Sequence, residues 1–350
     1  MGDKEPPSEQ TPESALPPEE ASDYLRAAGV LPAGEQVSVE ELGGGVSSQV
    51  LRAETDEQCV VLKQALPKLR VADDWRSPVE RALTEARAAT ALARLLPPGA
   101  VLPPLHADAQ RHLFVMPCAP AGAETWKAKL LRGELATATA RRVGELLGLL
   151  HRRSRGDAAL AREFASREFF LTLRVEPYLD TTAERRPELA GAIARQKDLL
   201  LATRQCLVHG DYSPKSLLVG PDDPAAVIVL DHEVAHWGDP AFDVAFCLTH
   251  LHTKSVAFHE RASGYLALAG ELWGAYLAAA RPPDPDGLER HAVALLGCII
   301  AARVDGKSPV EYLQTPAAKE TARALARTIL LDELAALTEV AAATRLLVGR

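Results

Sequence analysis

Aromatic side chains are scarce in this chain: Phe, Trp and Tyr together make up 5% of 350 residues. That argues against an aromatic cage for a quaternary ammonium ligand, which needs several rings around one cation. Cysteine is sparse as well. The five present (Cys59, Cys118, Cys206, Cys247, Cys298) are far apart, odd in number and never form a C-x-x-C pair. This argues against a zinc or disulfide site and reads as reduced core residues of a cytoplasmic protein. No stretch reaches the ~18 uninterrupted apolar residues of a membrane span, and the N-terminus lacks the apolar core of a signal peptide. A membrane partner is not expected. Basic residues are in the minority, 39 Lys and Arg against 47 Asp and Glu, for a formal net charge of -8. Without a surplus of positive charge, nucleic acid is not the expected partner either. What is present is 47% hydrophobic and 25% charged residues, an ordinary globular composition with length enough for two lobes or domains.

Residues 1–22, MGDKEPPSEQTPESALPPEEAS, are rich in Pro, Glu and Ser and nearly free of large apolar side chains. Such a segment buries too little surface to offset its ordering entropy, so it reads as a disordered tail. A short helix follows in DYLRAAGVL. Two β-like stretches, VSVEEL (37–42) and SQVLRAE (48–54), flank the glycine cluster GGGVS (43–47), and CVVLKQA (59–65) follows the polar turn TDEQ. From Ser77 to Leu96 the pattern is helical, with Ser77 as N-cap, Pro78 at the first helical position and Glu80 completing a capping box. RHLFVMP (111–117) reads as a strand ending at Pro117, before the hinge-like CAPAGAE. Beyond it, helical spacing of apolar residues recurs in 139–154 and 188–202. LVHGD and VIVLD are the only convincing strands of this half and read as one hairpin among helices, while VEYLQTP (310–316) interrupts the helical remainder. The fold class is α+β: 23–117 forms a small antiparallel β-sheet lobe with one helix, 118–122 a hinge, and 123–350 a large, mainly α-helical lobe.

Chemistry concentrates at a few places. Small residues in GGGVSS let backbone N–H groups approach a phosphate, although a glycine run at a hairpin tip also suits a plain turn. Lys63 shares its strand face with Val61, opposite Val60 and Leu62. A lysine on an apolar face needs an anion or a carboxylate; the alternative is a solvated strand end. Glu85 lies in mid-helix among Leu83, Ala86, Ala89 and Leu92, either as the inward partner of Lys63 or as a surface residue. The sharpest signal is LVHGDYSPKSLLV (207–219) followed by LDHEVAHWGDP. Asp211 and Asp231 each fall at a strand end, and two acids at adjacent strand ends converge on one point, suited to a metal ion and a reacting hydroxyl. Ser216, five residues after Asp211, is placed to reach the same ion. Two other readings of these residues exist: acids that cap turns, or a transition-metal hydrolase site of His209, Asp211, Asp231 and His232.

HGDYSPKSLLV with VIVLDHEVAHWGDPAFDVAF resembles the aminoglycoside phosphotransferase and choline kinase-like family of small-molecule kinases, whose fold is similar to that of protein kinases. In that family the motifs take the form HGDxxxxN, an Asp-bearing strand end and GDPxxD. GGGVSSQVLRAE resembles the family's phosphate loop, VVLKQAL its lysine strand, and VGELLGLLH (143–151) the helix before the catalytic segment. ARVDGKSPVEYL (302–313) is similar to a late element of some bacterial members, so residues 35–315 are covered in order. The resemblance implies a protein-kinase-like bilobal fold that uses ATP and Mg²⁺ on a small hydroxylated acceptor. It implies Asp211 as the catalytic aspartate, Asp231 as the Mg²⁺ ligand and Lys63 on the α/β phosphates with Glu85 as its partner. It also implies Gly44, Gly45, Val46 and Ser47 as the loop over the phosphates, and backbone groups from Met116 through Cys118 to Ala119 as the adenine contact. Asp239 and Pro240 read as an N-cap and first helical turn, and Asp243 matches an acid that hydrogen-bonds the catalytic-loop backbone in similar folds. The departure is Ser216, where the family carries asparagine. A serine hydroxyl is shorter but still coordinates Mg²⁺, directly or through water; the alternative is a nucleotide-binding pseudokinase. KQALPKLRVADDW (63–75) resembles methylthioribose kinases, which favours a sugar-like acceptor. His232, Glu233, His236, Trp237, Arg303 and Asp305 are candidates for its pocket.

Overall fold

The computed structural model describes residues 15–43, 47–70 and 76–349. The chain divides into two compact units: residues up to Arg87 with Pro103–Cys118, and Ala88–Leu102 with the residues from Ala119 onward.

The first unit is built on a five-stranded antiparallel sheet of β1 (Ser38–Glu41), β2 (Ser48–Glu54), β3 (Cys59–Ala65), β4 (His106–Asp108) and β5 (Leu113–Pro117). The strand order is β1-β2-β3-β5-β4. On one face, Val60 and Leu62 of β3 pack with Leu51, Ala53, Leu113 and Val115 against Ala21 and Leu25 of helix α1 (Pro18–Ala27). On the other face, Ala65 joins Phe114 and Val79, Ala82 and Ala86 at the start of helix α2 (Arg81–Leu95). Alternation along β3 therefore puts Lys63 on the α2 side.

Three expectations change here. Helix α1 opens at Pro18, inside the stretch whose composition reads as a disordered tail. A proline in the first turn and Glu19 and Glu20 beside the positive helix end are start signals, and Leu16, Ala21 and Leu25 supply a buried face. Helix α2 opens at Arg81 without the expected capping box: Ser77 Oγ has no hydrogen-bond partner among the described residues, and Glu80 is exposed beside His112. The fully buried Arg81 organises this corner instead, its guanidinium donating to the carbonyls of Ser77, Pro78, Leu66 and Ser47. Finally, Cys59 and Cys118, expected to be reduced, form a disulfide. Sheet register explains it. Val60 faces Pro117, so the next pair outward is Cys59 against Cys118, and the Cys118 N–H donates to the Cys59 carbonyl at 3.1 Å. Residues 59 apart in sequence thereby stand 5.4 Å apart at Cα. Cys206, Cys247 and Cys298 are buried free thiols.

The second unit is mainly helical. It contains α3 (Trp126–Arg132), α4 (Thr137–Ser154), a π-helical stretch Leu171–Asp180 and the helices Pro187–Ala202, Pro240–Ala257, Ala262–Ala280, Pro285–Asp305, Pro316–Leu331 and Leu337–Val348. Helix α4 meets Ala262–Ala280 at backbone contact, which only glycine permits: a Cβ on Gly144 would strike the Leu272 carbonyl. Short strands lie among the helices: β6 (Glu124–Thr125), β7 (Cys206–Val208), β8 (Leu217–Val219), β9 (Val227–Val229) and β10 (His236–Gly238). The strands of LVHGD and VIVLD are not a hairpin. Strand β7 pairs with β10, and β9 pairs with β8, which in turn pairs with β6. No described helix is long and apolar enough to cross a membrane.

Thiol titration of the denatured protein is expected to find three thiols before reduction, and the two of the disulfide in addition after it. Cys118→Ser, read by urea unfolding, is expected to cost about 2–4 kcal/mol because it frees a long loop of the unfolded chain.

Candidate active site

In the second unit, the segment after β7 is held by the helix Pro240–Ala257. Asp239 caps that helix by accepting the Ala241 N–H, and Asp243 follows one turn later. The Asp243 carboxylate accepts the His209 N–H at 2.7 Å and the Gly210 N–H at 2.8 Å, and it meets His151 Nε2 at 3.2 Å. Gly210 has φ +78, and a Cβ there would come within 2.8 Å of the Val234 side chain and carbonyl. The turn thus admits only glycine.

His209 fixes the next link. Its Nδ1 accepts the Asp211 N–H at 3.1 Å, so Nε2 carries the ring proton and donates it to the Leu230 carbonyl at 2.9 Å. Burial pushes this imidazole below its ordinary value, in keeping with a neutral ring. The Leu230 N–H in turn donates to the Ser216 carbonyl at 2.9 Å. Asp211, Ser216 and Asp231 are therefore gathered by loops leaving two different sheets, not by neighbouring strands of one hairpin.

Asp211 is 2% exposed, and its Oδ2 accepts from both Arg174 and Lys215 at 2.9 Å. Burial alone would push this carboxyl up. The guanidinium and the ammonium outweigh burial and hold it below the usual carboxylate value, against the opposing charge of Asp231. Asp211 is ionised at neutral pH. Asp231 adopts φ +62, a left-handed conformation that costs a non-glycine residue about 1–3 kcal/mol. The Ser216 side chain is fully buried, and its Oγ has no hydrogen-bond partner among the described residues. A carboxylate and an unclaimed hydroxyl are hard oxygen donors of the kind Mg²⁺ takes, with water and substrate phosphates completing its shell. The residues present fit that ion. Both ring nitrogens of His209 are engaged by backbone, which leaves neither for a transition metal.

In the first unit, Lys63 Nζ donates to Glu85 Oε1 at 2.7 Å, with side chains 9% and 5% exposed. Ser47 precedes β2 and its carbonyl is held by Arg81, while Gly44, Gly45 and Val46 lie outside the described residues. Met116 lies opposite Val61 in the β3–β5 ladder. The Cys118 N–H is committed to Cys59, which leaves only its carbonyl for a base.

Some candidates for the acceptor pocket are structural. His236 stacks on Phe170 with centroids 4.0 Å apart, Trp237 is in the core, and Asp305 is paired with Arg186 and Arg323. Sequence reasoning missed Arg174, which the π-helical stretch delivers to Asp211. The available signal was an arginine set between Leu173 and Val175 in an apolar run ahead of Pro177.

Asp243→Ala leaves two buried N–H groups and His151 without their acceptor. A loss of roughly 3–5 kcal/mol in unfolding free energy is expected, measured by chemical denaturation.

A family model described as "Phosphotransferase enzyme family" matches residues 38–278. Among curated proteins, the methylthioribose kinase of Exiguobacterium sibiricum is 23% identical over 269 residues, covering 69% of this chain and 68% of that protein. Among solved structures, the ethanolamine kinase of Plasmodium vivax superposes with a TM-score of 0.58 at 11% identity, covering 89% of each chain. Spectinomycin phosphotransferase, solved with ADP and spectinomycin, superposes with a TM-score of 0.51 at 12% identity, covering 95% of this chain and 99% of that one. The mixed α+β architecture is that of these small-molecule kinases, and the family match spans the glycine cluster at 43–45, the Lys63 strand and the Asp211 and Asp231 segments. This chain belongs to the phosphotransferase enzyme family.

Proposed function

We propose that this small-molecule kinase transfers the γ-phosphate of ATP, with Mg²⁺, to a hydroxyl of a sugar-like acceptor. One observation carries the reading: a buried, ionised Asp211 feels the charge of Asp231 and is linked through His209, Leu230 and Ser216 to a hydroxyl with no partner among the described residues. Phosphoryl transfer asks the protein mainly to position its reactants and to balance charge. Asp211 orients the acceptor hydroxyl and takes its proton as the bond from the acceptor oxygen to the γ-phosphorus forms and the bond from that phosphorus to the departing ADP breaks. Asp231 and Ser216 would hold Mg²⁺, which when bound would neutralise phosphate charge. Lys63, kept extended by Glu85, contacts the α/β phosphates. The match to a methylthioribose kinase supports a sugar-like acceptor. The orphaned Ser216 hydroxyl favours a working metal ligand over a pseudokinase.

Asp211→Asn is expected to lower turnover by ~10²–10⁴-fold while ATP still binds. Lys63→Ala is expected to raise KM for ATP, and Ser216→Ala to raise the Mg²⁺ concentration giving half-maximal rate. Steady-state assays with a panel of polyols and sugars check all three. Binding of ATP without any acceptor-dependent turnover by the unaltered enzyme would overturn the proposal.

A further inference from the structure

The helix that carries Asp243 also carries Lys254, which is fully buried and whose Nζ has no hydrogen-bond partner among the described residues. The ammonium lies 4.1 Å from the centroid of the Tyr312 ring. Arg303, 9% exposed, keeps an orphaned Nε. Its other nitrogens meet the Tyr178 hydroxyl, the carbonyl and hydroxyl of Ser308, and His250 Nε2. His250 Nδ1 continues to the Tyr312 hydroxyl at 3.1 Å, so the two cations belong to one connected cluster. Neither has a carboxylate partner among the described residues. Burying a cation without an anion is costly, and two in one cluster need a reason.

The cluster adjoins the catalytic aspartate. The guanidinium carbons of Arg303 and Arg174 lie 5.5 Å and 5.9 Å from the centroid of the same Tyr178 ring, and Arg174 is the residue bound to Asp211. The nearby acids are already matched: Asp211 by Arg174 and Lys215, and Glu311 by Lys127 at 2.6 Å. Glu233 acts on the charge of Arg174. Positive charge is left over at Lys254 and Arg303.

We propose that Lys254 and Arg303 form an acceptor subsite for an anionic group, so that the molecule phosphorylated is a hydroxylated acid, a carboxylate or phosphate ester, and not an aminoglycoside or amino alcohol. This rests on the kinase reading of Asp211. Ser308 and Tyr312, both in the non-helical segment 306–315, stand in for the anion with a carbonyl, a hydroxyl and a ring face. The anionic group displaces them. Burial lowers the Lys254 ammonium to about 7; Glu311 and Cys247 oppose the shift, and Lys127 and Arg303 add to it. His250 beside it is pushed down by burial and the same cations, and so adds no charge. An anion at Lys254 restores the ammonium, and binding near pH 7 takes up a proton.

The test uses the full chain and four matched probes: gluconate, glucose 6-phosphate, glucose and glucosamine, by titration calorimetry and by turnover with Mg·ATP. At least one acid is expected to bind about 10-fold or more tightly than glucose or glucosamine, with K254M and R303M each removing the preference and leaving ATP affinity unchanged. The difference between gluconate and glucose 6-phosphate tells carboxylate from phosphate. K254M is also expected to melt at a higher temperature. The unfolded chain holds that proton more tightly, so the gain is greatest below about pH 7 and shrinks toward the ordinary lysine range. Equal binding of acids and neutral sugars, or an acid preference that survives both variants, overturns the subsite. Phosphorylation of glucose with no acid preference sinks the subsite and keeps the kinase. Acid binding without ATP consumption does the reverse.

Discussion

The second unit depends on one buried carboxylate. Asp243 is fully buried, and burial alone would push its carboxyl up, yet hydrogen bonds from the His151 ring and the His209 backbone N–H hold it below the usual value. Its two oxygens join the turn after β7, helix α4 through His151, and its own helix. His151 passes the connection on to the Tyr276 hydroxyl at 3.0 Å, in the helix that Gly144 and Gly148 let approach α4. The position of Asp211 is therefore a property of helix packing and not of its own loop. A loop alone would leave it on the mobile end of the stability range.

Charge in the same unit is unevenly settled. Three deeply buried acids each have a cation or an imidazole beside them: Asp211 has Arg174 and Lys215, Asp239 has His291, and Asp243 has His151. The buried cations Lys254 and Arg303 have no such answer among the described residues. Stability alone would favour apolar residues at those two positions, since an unmatched buried charge lowers it. Retaining them makes sense where a second molecule completes the balance.

Much of this was legible in the sequence, for identifiable reasons. Strands β2 and β3 coincide with SQVLRAE and CVVLKQA, because alternation bounded by polar turns is a strong local signal. The same alternation placed Lys63 on the α2 side, where Glu85 meets it. What was not legible is long-range. Strands of three residues carry no register information, so the pairing of β7 with β10 instead of β9 is settled only by packing. The disulfide follows from cross-strand register, invisible in cysteine spacing. Arg81 and Arg174 bind backbone carbonyls and a carboxylate in the interior, yet arginine in a sequence reads by default as surface.

The left-handed backbone of Asp231 shows why the serine at 216 belongs to the same design. A strained residue persists only where its neighbours permit no other arrangement. Here the preceding residue, Leu230, has both backbone groups committed: its N–H to the Ser216 carbonyl and its carbonyl to the His209 ring. Rotating Asp231 into a relaxed conformation would turn the peptide that Leu230 shares with it and break the His209 bond, leaving the buried His209 ring and the half-buried Leu230 carbonyl without that partner. Those losses are comparable to the strain itself, so the strained state wins. The bonds that trap Asp231 run through Ser216 and His209, the residues that flank Asp211 on either side. Asp231, the Ser216 backbone and Asp211 are thus joined by one continuous set of hydrogen bonds through Leu230 and His209.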